Sequence, residues 1–166
     1  WSNHIKSFGL GNFLGNDLSV GKKGNIPDGA YYDAWYPDFR WGATTILSNA
    51  IGQGEILVTP IQLANMTAAI ANRGFYYTPH IIKAIENESI DEKFTIKKET
   101  TIDPAHFDPI IEGMHGVYTN GTAGFLKVPG IQICGKTGTA ENFTKIDCIK
   151  TQLTHHSIFV AFAPKE

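Results

Sequence analysis

The stretch Gln132–Asn142, QICGKTGTAEN, sets an apolar run directly against a lysine, two threonines and two glycines, then opens into a polar loop. An apolar run bounded by glycine reads as a strand, here GIQICGKTGTA, 130–140. A strand ending Lys136-Thr137-Gly138-Thr139 puts a cation, a hydroxyl and a bare backbone in a row, because glycine lets a ligand chain lie directly on the main chain. Such an edge suits a carboxylate. Lys136 supplies charge, the hydroxyls of Thr137 and Thr139 supply donors, and the Thr139 N–H can face a developing oxyanion. Taken alone, the tripeptide is more simply a strand end with a solvated lysine.

Working outward, a second apolar run, SIFVAFAP at 157–164, follows a polar connection from Glu141 to His156, and one sheet is expected to hold both runs. Upstream, TPIQLANMTAAIANRG at 59–74 carries the marks of a helix. Thr59 is an N-cap, Pro60 fits the first turn, Gln62 completes a capping box, and Gly74 supplies a left-handed stop. Ile61, Ala64, Ala68 and Ala71, with Leu63, Met66 and Ile70 alongside, predict a wide apolar face and a buried helix. FYYTPHIIKAIE (75–86) and KFTIKKET (93–100) read as short strands of a hairpin-like excursion around the polar NESIDE. HFDPIIEGMHGVYTN (106–120) spaces Ile110, Ile111, Met114 and Val117 as a helix that Asn120-Gly121 ends. From Gly9 to Asp38 no period is sustained, which predicts a long ordered loop pinned by its aromatic residues.

The 166 residues, 42% hydrophobic and 18% charged, are ordinary for one globular domain with one core. A net charge of -2 offers no basic field for nucleic acid or an anionic membrane surface. No run of about 18 apolar residues occurs, and WSNHIKSFGL has no signal-peptide pattern, so the chain as it stands is expected to be soluble. Cys134 and Cys148 could pair in an oxidising compartment, but burial of Cys134 on its strand as a small hydrophobe is the simpler expectation. Cys148 with His155 and His156 matches no standard zinc spacing, and no metal or cofactor is expected. Ile51-Gly52-Gln53-Gly54 lacks the layout of a phosphate cradle and reads as a turn. The Asn-x-Ser/Thr triplets at Asn65, Asn87 and Asn142 match the glycosylation pattern, and the charged stretch 87–100 reads as solvated.

GKTGTAEN resembles the Lys-Thr-Gly box of penicillin-binding proteins and serine β-lactamases. SNAIGQGEILVTPIQLANMTAAIANRGFYYTPHII (48–82) is similar to the segment preceding that box in class B penicillin-binding proteins, and HHSIFVAFAP (155–164) to the strand that follows it. FGLGNFLGNDLSVGKKGNIPD and WYPDFRW resemble the elongation-type group, penicillin-binding protein 2, more than the division type. The resemblance implies an α/β (α+β) β-lactamase/transpeptidase-like fold, an antiparallel sheet flanked by helices, present in part. It implies a serine D,D-transpeptidase of peptidoglycan: a serine attacks a D-Ala-D-Ala stem peptide, forms an acyl-enzyme and passes the acyl group to an amine, while β-lactams acylate the same serine. Lys136 would orient the terminal carboxylate and support proton transfer, and Thr137 and Thr139 would bind that carboxylate. Gly138 would leave room for the ligand, and the Thr139 N–H would form half of the oxyanion hole. The resemblance also implies partners in the cell-elongation machinery and a place on the periplasmic side of the bacterial inner membrane, through an anchor outside this chain.

Two boxes of that family are missing. Ser-x-x-Lys occurs once, at Ser19–Lys22, where Gly21 and the following KKGN favour a loop over the helix start that keeps serine and lysine on one face. No serine has asparagine two positions on. Residues 1–166 are therefore expected to be a C-terminal part of a transpeptidase domain rather than a degenerate homologue, inert alone and prone to self-association. A non-catalytic module binding cell-wall peptides or a morphogenesis partner, and a serine β-lactamase, are the alternatives.

Overall fold

The capping signal at Thr59 is obeyed in the computed structural model, which describes residues 1–38, 40–147 and 149–166. In chain order the elements are α1 (Ser2–Ser7), α2 (Gly29–Trp35), α3 (Ala43–Ala50), α4 (Pro60–Ala71), β1 (Phe75–Tyr76), β2 (Lys98–Glu99), α5 (Phe107–Thr119), β3 (Cys134–Ala140), β4 (Phe143–Ile146), β5 (Ile149–Gln152) and β6 (His156–Phe162). They fall into two compact units, Trp1–Arg40 with Glu55–Ile111, and Trp41–Gly54 with Glu112–Glu166. The one core expected from length is thus divided. Leu10, Ile26, Tyr32, Ala69, Tyr76, Phe94, Phe107 and Ile111 are buried in the first unit, and Met114, Tyr118, Ala123 and Cys134 in the second.

In the first unit, α4 forms with its full capping box: Thr59 Oγ1 accepts from the Gln62 N–H, and Gln62 Oε1 accepts from the Thr59 N–H at 2.9 Å. Its buried face is not the expected one. Gln62, Asn65, Thr67 and Ala69 are buried, whereas Ile61, Ala64 and Ala68 are exposed and Leu63, Met66, Ile70 and Ala71 are half-buried. The cause is the long loop, which has almost no ladder of its own and must satisfy its carbonyls elsewhere. Gln62 Nε2 donates to Asn12 O and Lys23 O, both at 2.9 Å, and Asn65 Nδ2 donates to Phe8 O at 2.9 Å. Gly24, at φ +65°, passes so close that a Cβ there would lie 2.1 Å from Leu57 O. The helix stop also differs from expectation. Arg73 takes the left-handed position at φ 57°, while the N–H groups of Arg73 and Gly74 return to Ile70 O and Ala69 O.

The loop from Gly9 is irregular as far as Asp28, which then caps α2 by accepting from the Tyr31 N–H at 3.0 Å. Lys6 pairs with the same carboxylate at 2.9 Å and, with the Tyr31 amide, holds it below the usual range. Residues 75–100 form less sheet than expected, two antiparallel residue pairs, Phe75↔Glu99 and Tyr76↔Lys98. Polar side chains tie down much of the rest. Asp17 Oδ2 accepts from the amides of Ile81 and Ile82, both at 2.7 Å.

In the second unit β3 and β6 pair antiparallel from Cys134↔Phe162 to Ala140↔His156, the sheet expected from their apolar runs. The connection between them, read as polar loop, is a hairpin with Phe143↔Gln152 and Ile146↔Ile149 as its end pairs. Cys134 is fully buried, as expected of a strand residue, and burial pushes its thiol pKa up. The possible Cys134–Cys148 pairing lies outside the described residues. On α5 the buried positions are Phe107, Ile111, Met114 and Tyr118; Ile110 of the expected set is exposed.

Gln62→Leu leaves the Asn12 and Lys23 carbonyls unpaired and is expected to lower stability by about 2 kcal/mol in urea unfolding. The same experiment on Gly24→Ala should also show a loss, since the added methyl meets backbone. The amides of Ile82 and Ile81 hold the Asp17 carboxyl below its unfolded value. Its contribution is therefore present above about pH 4 and lost as pH falls further. Amide exchange at Ile81 and Ile82, corrected for intrinsic rates, should rise below that pH, and Asp17→Asn should remove the dependence.

Candidate functional site

Strand alternation sorts the candidate residues. Lys136 and Gly138 lie on one face of β3, opposite Val160 and Ile158, and Thr137 and Thr139 lie on the other, opposite Phe159 and Ser157. What unites the four is an edge rather than a face. Among the described residues β6 is the one strand beside β3, so the other edge of β3 carries no strand.

That edge is rich in polar groups. Residues of an antiparallel ladder either exchange both backbone bonds with their partner or point both groups away. Thr137 O accepts from Lys136 Nζ at 2.6 Å, and Thr139 O accepts from Gln53 Nε2 at 3.4 Å. These carbonyls therefore face away from β6, and the N–H groups of the same two threonines face that way with them. The Lys136 side chain is exposed and swings round to the edge, so its ammonium joins the threonine backbone despite starting from the opposite face. Thr137 Oγ1 lies 3.0 Å from Thr122 Oγ1.

Glycines shape the two sides differently. A Cβ on Gly135 would lie 2.7 Å from Phe159 Cζ, so that ring packs on bare backbone. A Cβ on Gly138 would meet nothing nearer than Ile158 Cβ at 4.0 Å, which leaves open space over the backbone. An ammonium, two hydroxyls, outward N–H groups and an uncovered backbone can together hold an extended anionic chain end.

Across residues 1–166 the sequence matches the family model of the penicillin-binding protein transpeptidase domain. The chain belongs to this family. Peptidoglycan D,D-transpeptidase MrdA of Acinetobacter baumannii is 30% identical over 98% of the chain, which spans 25% of that relative. The crystal structure of Pseudomonas aeruginosa PBP2 in complex with WCK 5153 superposes with a TM-score of 0.77 at 30% identity, covering 97% of this chain and 35% of that one. The complex between PBP2 and MreC from Helicobacter pylori gives 0.75 at 27% identity, covering 99% and 29%. The transpeptidase-like fold expected from the Lys-Thr-Gly box is therefore the fold of this penicillin-binding domain, and the chain spans about a quarter of the curated relative's length.

The remaining candidates separate from the site. Ser19 and Lys22 are exposed in irregular chain, not at a helix start. Residues Ile51, Gly52 and Gly54 form the expected turn, and Gln53 within it makes the contact to Thr139. His155 precedes β6 and His156 opens it, both exposed, and among the described residues no group of three His, Cys, Asp or Glu side chains is placed to hold a metal. Sequence reasoning missed Gln53 and Thr122. Neither has a spacing relation to Lys136, although the helix-ending Gly121 marked where Thr122 would emerge.

Gly138→Ala is expected to change unfolding free energy by less than about 0.5 kcal/mol. Gly135→Ala, which displaces Phe159, is expected to cost about 1 kcal/mol. Urea titrations of the two variants provide the comparison.

Proposed function

We propose that residues 1–166 are the C-terminal, substrate-holding part of the transpeptidase domain of a serine D,D-transpeptidase that cross-links peptidoglycan stem peptides. The observation that carries the reading is the outer edge of β3, where Lys136-Thr137-Gly138-Thr139 presents cation, hydroxyls and outward N–H groups with no strand neighbour among the described residues. In this reading the Lys136 ammonium orients the terminal carboxylate of a D-Ala-D-Ala peptide and supports proton transfer. The hydroxyls of Thr137 and Thr139 bind that carboxylate. Gly138 gives the peptide room, and the Thr139 N–H stabilises the oxyanion, a role in which one donor contributes about 3 kcal/mol.

The chain contains no Ser-x-Asn box, and its single Ser-x-x-Lys sits in exposed irregular chain. Nucleophile and base act as a unit, so this segment holds substrate while residues elsewhere in the parent protein perform the attack. β-Lactams, whose carboxylate and reactive carbonyl mimic the peptide end, are ligands of the same edge. Similarity to the PBP2 that is solved in complex with MreC supports a partner from the cell-elongation machinery. Work on the periplasmic side of the inner membrane follows from peptidoglycan as the proposed substrate.

Intact-mass spectrometry after incubation with a labelled penicillin tests this. The 166-residue chain should form no adduct, and the parent protein one stoichiometric adduct, formed about 100-fold more slowly after Lys136→Ala. A denaturation-resistant adduct on the chain alone, at Ser19 above all, would show a self-sufficient enzyme. Peptide affinity without any adduct in the parent protein would show a binding module.

A further inference from the structure

Thr122 and Thr137 face each other with their hydroxyl oxygens 3.0 Å apart. A hydroxyl has one proton to donate and two lone pairs, so the direction of this bond decides what Thr137 can offer a ligand. If Thr137 donates to Thr122, its proton is spent. If Thr122 donates, Thr137 keeps its proton for an anion and is made a better donor by the bond it accepts.

The position of Thr122 is built into the end of α5. Asn120 N–H closes on Gly116 O at 3.0 Å, and Ala123 N–H on Val117 O at 3.1 Å. Ala123 is fully buried, which pins the residue after Thr122. Gly121 lies against the helix so tightly that a Cβ would sit 2.7 Å from Val117 Cα. Thr122 itself is exposed between these two fixed residues, and Thr137 is half-buried, so the pair stands at the solvent-facing part of the site. Among the described residues, the hydrogen-bond partner of the Thr122 hydroxyl is Thr137 Oγ1.

We infer that Thr122 is a positioning residue for carboxylate recognition: its hydroxyl donates to Thr137 Oγ1 and turns the Thr137 proton toward the substrate's terminal carboxylate. This rests on the proposed transpeptidase reading, in which Thr137 touches that carboxylate. Thr122 acts through Thr137 and does not itself contact substrate.

The test measures the second-order acylation rate constant of the full-length parent protein with a fluorescent penicillin and with its carboxylate methyl ester. Thr122→Val should slow reaction with the free acid about five- to tenfold, as expected for one lost hydrogen bond, and change the ester rate less than about twofold. Thr122→Ser, which keeps the hydroxyl, should retain the wild-type rate. In a Thr137→Val background, Thr122→Val should have no further effect. Equal losses on acid and ester, failure of serine to rescue, or additive losses in the double variant would each overturn the inference. Thr122→Ala provides a second hydroxyl-free variant if the valine protein melts early. Normal wild-type acylation with an unaffected Thr122→Val overturns the inference alone, whereas no acylation of the wild-type parent overturns the functional reading and this inference with it.

Discussion

The carboxamide of Gln62 is the interaction on which the first unit depends. Its oxygen accepts from the Thr59 N–H and closes the start of α4, while its nitrogen uses both protons on Asn12 O and Lys23 O. One side chain thus begins a helix and fastens a loop at two points. A loop without strand partners leaves many backbone groups unpaired, and burying such groups is expensive unless each finds a partner. Asn65 on Phe8 O repeats the device one turn later. The glycines follow from it: Gly24 brings backbone against Leu57 O, and Gly9 passes Asn65 Nδ2 where a Cβ would sit 2.8 Å away.

The same bookkeeping of backbone groups explains the site from the opposite direction. On β3 the leftover groups are not buried against a polar side chain but kept at an open strand edge. Lys136 and Gln53 cover two carbonyls there and leave the neighbouring N–H groups facing outward. Recognition by main-chain groups of an open edge sets the approach of a ligand through the ladder geometry, while side chains add charge and selectivity. Lys136 reaches the edge through length: its four-carbon stem lets a residue from one face deliver an ammonium there, which a shorter cation would not do.

These two arrangements differ in how far they could be read in advance. The capping box of α4 is a local pattern and was legible at Thr59, Pro60 and Gln62. The orientation of the same helix was not, because counting apolar residues assigns Ile61, Ala64 and Ala68 to the core and gives no weight to a glutamine whose carboxamide bonds two distant carbonyls, Asn12 O and Lys23 O. Short α1, α2 and α3 were illegible for a related reason. Helices of six to eight residues are marginal by themselves and exist through tertiary contacts such as Tyr32 Oη on Glu55 at 2.8 Å. The hairpin of β4 and β5 was hidden by its polarity, since among the described side chains neither strand has a buried one to leave an alternating apolar pattern. In the site, contiguous Lys136–Thr139 were legible as a motif. Gln53 and Thr122 were not, because their relation to β3 exists only after folding.

A motif read from contiguous residues therefore names the groups proposed to touch a ligand but not the groups that set their protonation geometry. The hydroxyl of Thr137 shows why the second set matters. A threonine on a strand can rotate its proton at little cost, and a freely rotating donor must be ordered when an anion arrives. A fixed hydroxyl at 3.0 Å restricts that rotation beforehand. Preorganised donors lower the cost of reorganisation at the moment of binding, which is the source of most electrostatic stabilisation in such sites. The buried Ala123 and the close Gly121 then acquire a role beyond packing. By fixing the backbone on either side of Thr122 they convert the rigidity of α5 into the orientation of a proton on β3.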